Sequence, residues 1–144
     1  MSALRTTAGK FGWLLVLALV LGCESGPKLP PMARVSGTVT LDGKPVTRGL
    51  VQFQPDKTKG TDGPVAIGMI GADGKFDLVT AQVKGAMVGH HTVMVEARAE
   101  PKNEMDTYPA LLVPEKYVRH ETSGLAKEVV AGQANVIDLE LKSK

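Results

Sequence analysis

Cysteine is nearly absent from this chain: Cys23 is the only one in 144 residues. An exported domain so built has no internal disulfide and relies on its core alone. Aromatic residues are scarce, at 4%, against 16 glycines and 9 prolines. That balance favours short strands joined by turns over long helices. The longest apolar run falls short of the roughly 20 residues a bilayer-spanning helix needs. Neither a Gly-x-x-x-x-Gly-Lys-Ser/Thr nor a Gly-x-Gly-x-x-Gly phosphate loop occurs. No Gly-x-Ser-x-Gly elbow frames a serine nucleophile.

A charge excess is lacking too. The formal net charge is +2, and Arg5 and Lys10 account for it. Without the first 22 residues, 15 basic residues face 15 acidic ones. A neutral domain is a poor partner for nucleic acid, which demands a basic surface. The length fits one hydrophobic core and not two.

What is present begins with residues 11–23, FGWLLVLALVLGC. Residues 1–10 carry Arg5 and Lys10 and no acid, as an n-region does; residues 11–21 are uncharged, as an h-region is. Small Gly22 precedes Cys23 at the expected cleavage point. The run resembles the lipobox of bacterial lipoproteins, Leu-(Ala/Ser/Val)-(Gly/Ala)-Cys, with Val20 and Leu21 as acceptable variants. The resemblance implies a signal peptide over 1–22, a diacylglyceryl group on Cys23 Sγ, and cleavage before Cys23. Two or three acyl chains give stable anchoring where one is marginal. The competing readings are a secretory signal with an incidental cysteine and a retained membrane anchor. Residues 24–33, ESGPKLPPMA, follow as a tether: Pro27, Pro30 and Pro31 oppose helix and ladder pairing.

From residue 34 the pattern is that of strands. Residues 34–41 alternate, with Val35, Gly37, Val39 and Leu41 on one face. Asp42-Gly43 signals a hairpin turn. Further strands are expected over 50–54, 65–70, 75–79, 90–98, 125–131 and 134–142. Asp73-Gly74 makes a turn in which Asp73 caps through its side chain. Residues 56–64 read as a solvated loop, lacking calcium-loop spacing. Residues 80–88 read as a connector and 99–123 as a long irregular stretch. Lys127 falls in phase with inward Leu125 and Val129, which an edge strand tolerates. The sum is an all-β, seven-stranded antiparallel β-sandwich.

Three blocks carry a family resemblance: Val35-Ser-Gly-Thr-Val-Thr-Leu-Asp-Gly-Lys-Pro45, Ala72-Asp-Gly-Lys-Phe-Asp-Leu78, and Pro114-Glu-Lys-Tyr117 with Ser123-Gly-Leu125 and the Gly132-x-x-Asn135 turn. Together they are similar to the carboxypeptidase regulatory-like domain of short bacterial lipoproteins, over residues 34–142. The resemblance implies a transthyretin-like (prealbumin-like) sandwich without catalytic residues. It departs at Ile70-Gly71, where Thr-Asp is usual, and at His91, where Tyr is usual. That second departure makes His91 a substitute core residue.

Catalysis and metal binding find little material. His90 and His91 point to opposite faces of one strand, so they cannot share a metal. His120 reaches them only by loop placement. Ser36 lies mid-strand and Ser123 in a turn. No cofactor is expected, and no metal. Glu115, Lys116 and Tyr117 allow two readings: a binding edge for a glycan or protein strand, or Tyr117 plugging the sandwich end beside two solvated charges. The expected function is a lipid-anchored envelope protein with a non-catalytic binding or structural domain. It would sit at the cell membrane or outer membrane, outside the cytoplasm. The alternatives are an accessory subunit of a membrane enzyme or transport complex, and an envelope hydrolase.

Overall fold

The computed structural model describes residues 30–144. The expected signal peptide (1–22), Cys23 and most of the expected tether (23–33) lie outside them. Among the described residues no helix is long and apolar enough to cross a membrane.

The described chain is all-β. It opens with β1 (Met32–Ala33), β2 (Val35–Leu41), β3 (Lys44–Pro45), β4 (Gly49–Pro55) and β5 (Ala66–Ile70). β6 (Lys75–Asp77), β7 (Val79–Thr80), β8 (Val83–Lys84), β9 (Ala86–Met87) and β10 (Gly89–Glu96) follow. After a long loop come β11 (Leu125–Val129), β12 (Asn135–Val136) and β13 (Leu139–Leu141).

The larger sheet runs β11-β10-β4-β5-β7-β8. Its long strands alternate as the sequence does: Val51, Phe53, His91, Val93 and Val95 are buried while Gln52, Gln54, Thr92 and Met94 are not. The smaller sheet is built around β2, with β12 and β13 on one side and β6 and β3 on the other. Inner faces meet in one core, where Phe53 packs against Phe76 at 6.4 Å between ring centroids. Both sheets stay open. β11 lies at the edge of the larger sheet, where half-buried Lys127 is tolerated.

Three expectations are corrected. First, the sandwich is not purely antiparallel. β12 and β13 run parallel to β2, with Asn135 beside Val35 and Leu139 beside Val39. The chain leaves the edge of the larger sheet at Val129 and crosses to the free side of β2. There it enters at the same end as β2 itself. The side-chain phase is unaffected: Leu139 and Leu141 are buried and Val136 and Glu140 exposed.

This last strand is also broken, between Val136 and Leu139. Gly37 sits opposite the break. A methyl group there would overlap the Ile137 carbonyl and meet the Phe76 ring. The Asp138 carboxylate accepts from the Thr38 N–H at 2.9 Å, supplying a ladder bond at the interruption.

Second, residues 80–88 are not a plain connector. Val79–Thr80 and Val83–Lys84 form a tight hairpin, with Thr80 paired to Val83. Its turn residues, Ala81 and Gln82, have φ of +46° and +70°. Two positive values mark a primed turn, which matches strand twist but favours Asn-Gly. The Thr80 hydroxyl helps hold the hairpin by donating to the Gly85 carbonyl at 2.7 Å.

Third, folding starts before residue 34. Met32 pairs with Met87 and Ala33 with Ala86, and the Pro31 carbonyl accepts from the Val88 N–H at 2.8 Å. Ala33 is buried, so the tether's last residues belong to the domain.

The Ala81-Gln82 turn gives a test. Each L-residue in left-handed backbone costs about 1 kcal/mol. Replacing the pair with Asn-Gly should stabilise the domain by about 1 kcal/mol. The check is a higher urea midpoint at unchanged slope. An unchanged midpoint would remove the strain argument.

Candidate functional site

Among the described residues, the segment singled out by sequence, Glu115–Val118, forms a single 3-10 turn after Pro114. Tyr117 turns inward and is 4% exposed. Its hydroxyl accepts from the Lys142 N–H at 3.0 Å and faces the Lys142 carbonyl at 3.3 Å. The ring therefore closes one end of the core and ties down the C-terminal segment. Glu115 and Lys116 stay exposed. Lys116 Nζ lies 4.9 Å from the centroid of the Tyr117 ring. Glu115, Lys116, Arg119 and Thr122 line a shallow hollow of about 220 Å³. The structure thus separates the three residues: one structural, two at a solvated rim beside Arg119.

His91 is a core residue. It is 1% exposed, with its ring 5.8 Å from that of Phe53. Nδ1 lies 3.0 Å from the Gly89 carbonyl. A carbonyl only accepts, so Nδ1 carries the proton. Nε2 is buried with no partner. Burial holds the imidazole below its ordinary pKa of 6.5, the Gly89 bond opposes that, and neighbouring His90 adds to it. Pro55 and Lys127 sit opposite His91 on the flanking strands β4 and β11. His90 points the other way, as strand geometry requires.

His120 starts the short helix His120–Ser123, and its Nδ1 is also buried without a partner. No three His, Cys, Asp or Glu among the described residues are placed to hold a metal ion.

The remaining buried polar side chains are structural staples. Ser123 Oγ donates to the Val93 carbonyl at 2.5 Å and accepts from the Leu125 N–H at 3.2 Å. Those bonds pin the short helix onto β10. Thr61 Oγ1 accepts from the His90 N–H at 2.8 Å, fixing the loop before β5.

Asn135 is the most connected of the group. Its Oδ1 accepts from the Val130 N–H at 2.8 Å, and Nδ2 donates to the Val130 and Gln133 carbonyls at 3.1 and 3.2 Å. One side chain thereby closes the turn through which the chain changes sheets. The Gly-x-x-Asn spacing marked Asn135, whereas nothing in the sequence marked Thr61 or Thr80.

The exposed carboxylates do similar local work. Asp73 accepts from the Lys75 N–H at 3.1 Å, which holds its carboxyl below the usual range. Asp56 is lowered mainly by Thr58, whose hydroxyl it accepts at 2.6 Å. Asp62 is lowered mainly by the Lys57 side chain, 3.1 Å away.

No protein-family model, curated protein or solved structure matches the chain.

His91 generates a pH prediction. Its imidazole is held below 6.5 in the fold and regains that ordinary value on unfolding. As pH falls below about 6.5 the unfolded state takes up the proton first, so stability falls. The loss levels off below the folded value. His91→Phe keeps a ring beside Phe53 and should flatten the unfolding free energy between pH 7 and pH 5. An equally steep pH dependence in that variant would assign it to another group.

Proposed function

We propose that this chain is an exported lipoprotein, held at a cell or outer membrane through acylated Cys23. Its β domain serves as a non-catalytic binding or structural module of the carboxypeptidase regulatory-like, transthyretin-like kind. One observation carries the reading: a charged n-region and an uncharged run of eleven residues lead to Gly22 and the chain's only cysteine.

The domain's side chains support it. Ser123, Tyr117, Asn135 and the turn aspartates are engaged in holding loops. His91 Nδ1 is bound to its own strand and its ring is sealed in the core. Glu115, Lys116 and Arg119 line only an open hollow, a surface suited to contact and not to enclosing a reacting group.

The tether joins the domain tightly. Pro31 is already hydrogen-bonded to Val88, so eight residue steps separate Cys23 from the fixed chain. Such a segment spans at most about 28 Å fully extended.

Intact mass measurement of the chain purified from a bacterial membrane tests the reading. The expected species begins at Cys23 and carries the mass of two or three acyl chains. Cys23→Ser should abolish both cleavage and the added mass. A retained Met1, or an unacylated chain starting elsewhere, overturns the proposal.

A further inference from the structure

The outer face of the larger sheet carries apolar side chains that the core does not use. Met69 is 71% exposed, Ile67 45% and Val79 38%. Ile67 and Met69 alternate with buried Ala66, Gly68 and Ile70, so both point outward. Val79 lies opposite Ile67, and Lys84 opposite Val79. The three apolar residues thus form one stripe across β5 and β7, with Lys84 at its rim. Val83 is 49% exposed too, but it pairs with buried Thr80 and so lies on the other face of the hairpin. Farther across the sheet the same face mixes half-buried Leu50, beside Met69, and Met94 with polar Gln52, Gln54, Thr92 and Glu96.

The stripe begins where the tether enters. Gly85, directly after β8, packs so closely on the Ala33 carbonyl that a methyl group would overlap it. From Lys84 to Ile67 is two strand spacings, about 10 Å, and Met69 lies about 7 Å farther along β5. The eight residue steps from Cys23, at most about 28 Å, cover that distance. An anchor at Cys23 therefore keeps this face close to the lipid that holds the acyl chains.

We infer that the stripe Met69–Ile67–Val79, with Lys84 beside it, is the face the domain lays against the phospholipid interface. This rests on the proposed acylation of Cys23. The apolar side chains enter the headgroup boundary, and the Lys84 ammonium reaches the phosphates while its stem lies along the apolar surface. A second copy is the weaker occupant. The stripe exposes only a few hundred Å², against about 800 Å² per partner in a stable interface.

The absence of other cysteines makes the test clean. In the full chain, Cys23 is blocked by lipid, so a cysteine introduced by Met69→Cys is the one labelling site for a nitrobenzoxadiazole dye. Val79→Cys gives a second reporter and Met105→Cys a control on the long loop. The chain is reconstituted in phosphatidylcholine/phosphatidylglycerol vesicles containing doxyl-labelled lipid. Quenching at 69 and 79 should exceed that at 105 at least twofold. Ile67→Asp should cut quenching at 69 at least twofold while the chain still floats with the vesicles.

Equal quenching at 69, 79 and 105 overturns the inference. So does shielding at 69 that persists in detergent and grows with protein concentration, since a second copy would then cover the face. Failure of the acylation reading shows separately, as two dyes per chain and loss of flotation.

Discussion

The smaller sheet exists only because β2 is held between two sets of short partners. β6 and β3 pair along one side of it, β12 and β13 along the other, and none of these four exceeds three residues. Segments of that length have no independent stability. What holds them is the inner face of β2, where Val35 and Val39 are buried against the larger sheet. Full burial of such side chains contributes roughly 1.5–3 kcal/mol each. Between them Gly37 leaves the space into which the Ile137 carbonyl and the Phe76 ring close. A side chain at that one position would push away the Ile137 backbone between β12 and β13 and crowd the Phe76 ring of β6.

Dependence on β2 explains why buried polar side chains recur at the places where the chain changes direction. Asn135 closes the turn between sheets, Ser123 seats the short helix, Thr80 closes the β7–β8 hairpin, and Tyr117 ties the final residues. Each gives backbone groups at a bend of the chain a hydrogen-bond partner. A domain without disulfides fixes its loops in this way. The cost is chemical: hydroxyls and amides engaged with backbone are not available to a substrate. His91 Nε2 and His120 Nδ1 are the exceptions, buried with no partner, and burial of the His91 ring makes the fold sensitive to acid.

Much of this was legible in the residues, for a specific reason. β2, β4, β5 and β10 alternate cleanly and are bounded by strong turn formers, and period-2 burial follows from strand geometry alone. Lys127 declared an edge strand by being charged in an inward phase. The β7–β8 hairpin stayed hidden because Ala81 and Gln82 occupy left-handed backbone that local preference assigns to Asn and Gly. The direction of β13 was invisible for a different reason. Alternation fixes which face a residue takes and says nothing about whether the neighbouring strand is parallel. At the surface, the sequence leaves two readings of Glu115, Lys116 and Tyr117 open, and the 3-10 turn divides them by sending the ring inward and the charges outward.

With Cys23 acylated as proposed, magnitudes divide the labour between anchor and domain: acyl chains bind membranes at about 0.8 kcal/mol per buried methylene, so two or three of them would hold the protein with a large surplus. The domain has no need of strong membrane affinity of its own. A stripe of a few hundred Å² suffices for the lesser task of selecting one orientation over others, where 1.4 kcal/mol already gives a tenfold preference. Larger exposed apolar area would invite self-association instead. The same orientation sets what lies farther off. β10 starts beside the strand that pairs with β1 and runs eight residues, about 26 Å, before the chain enters the loop bearing exposed Met105 and Tyr108. Because Met32 and Ala33 are locked into a ladder, that separation is built into the sheet and does not depend on the tether's conformation.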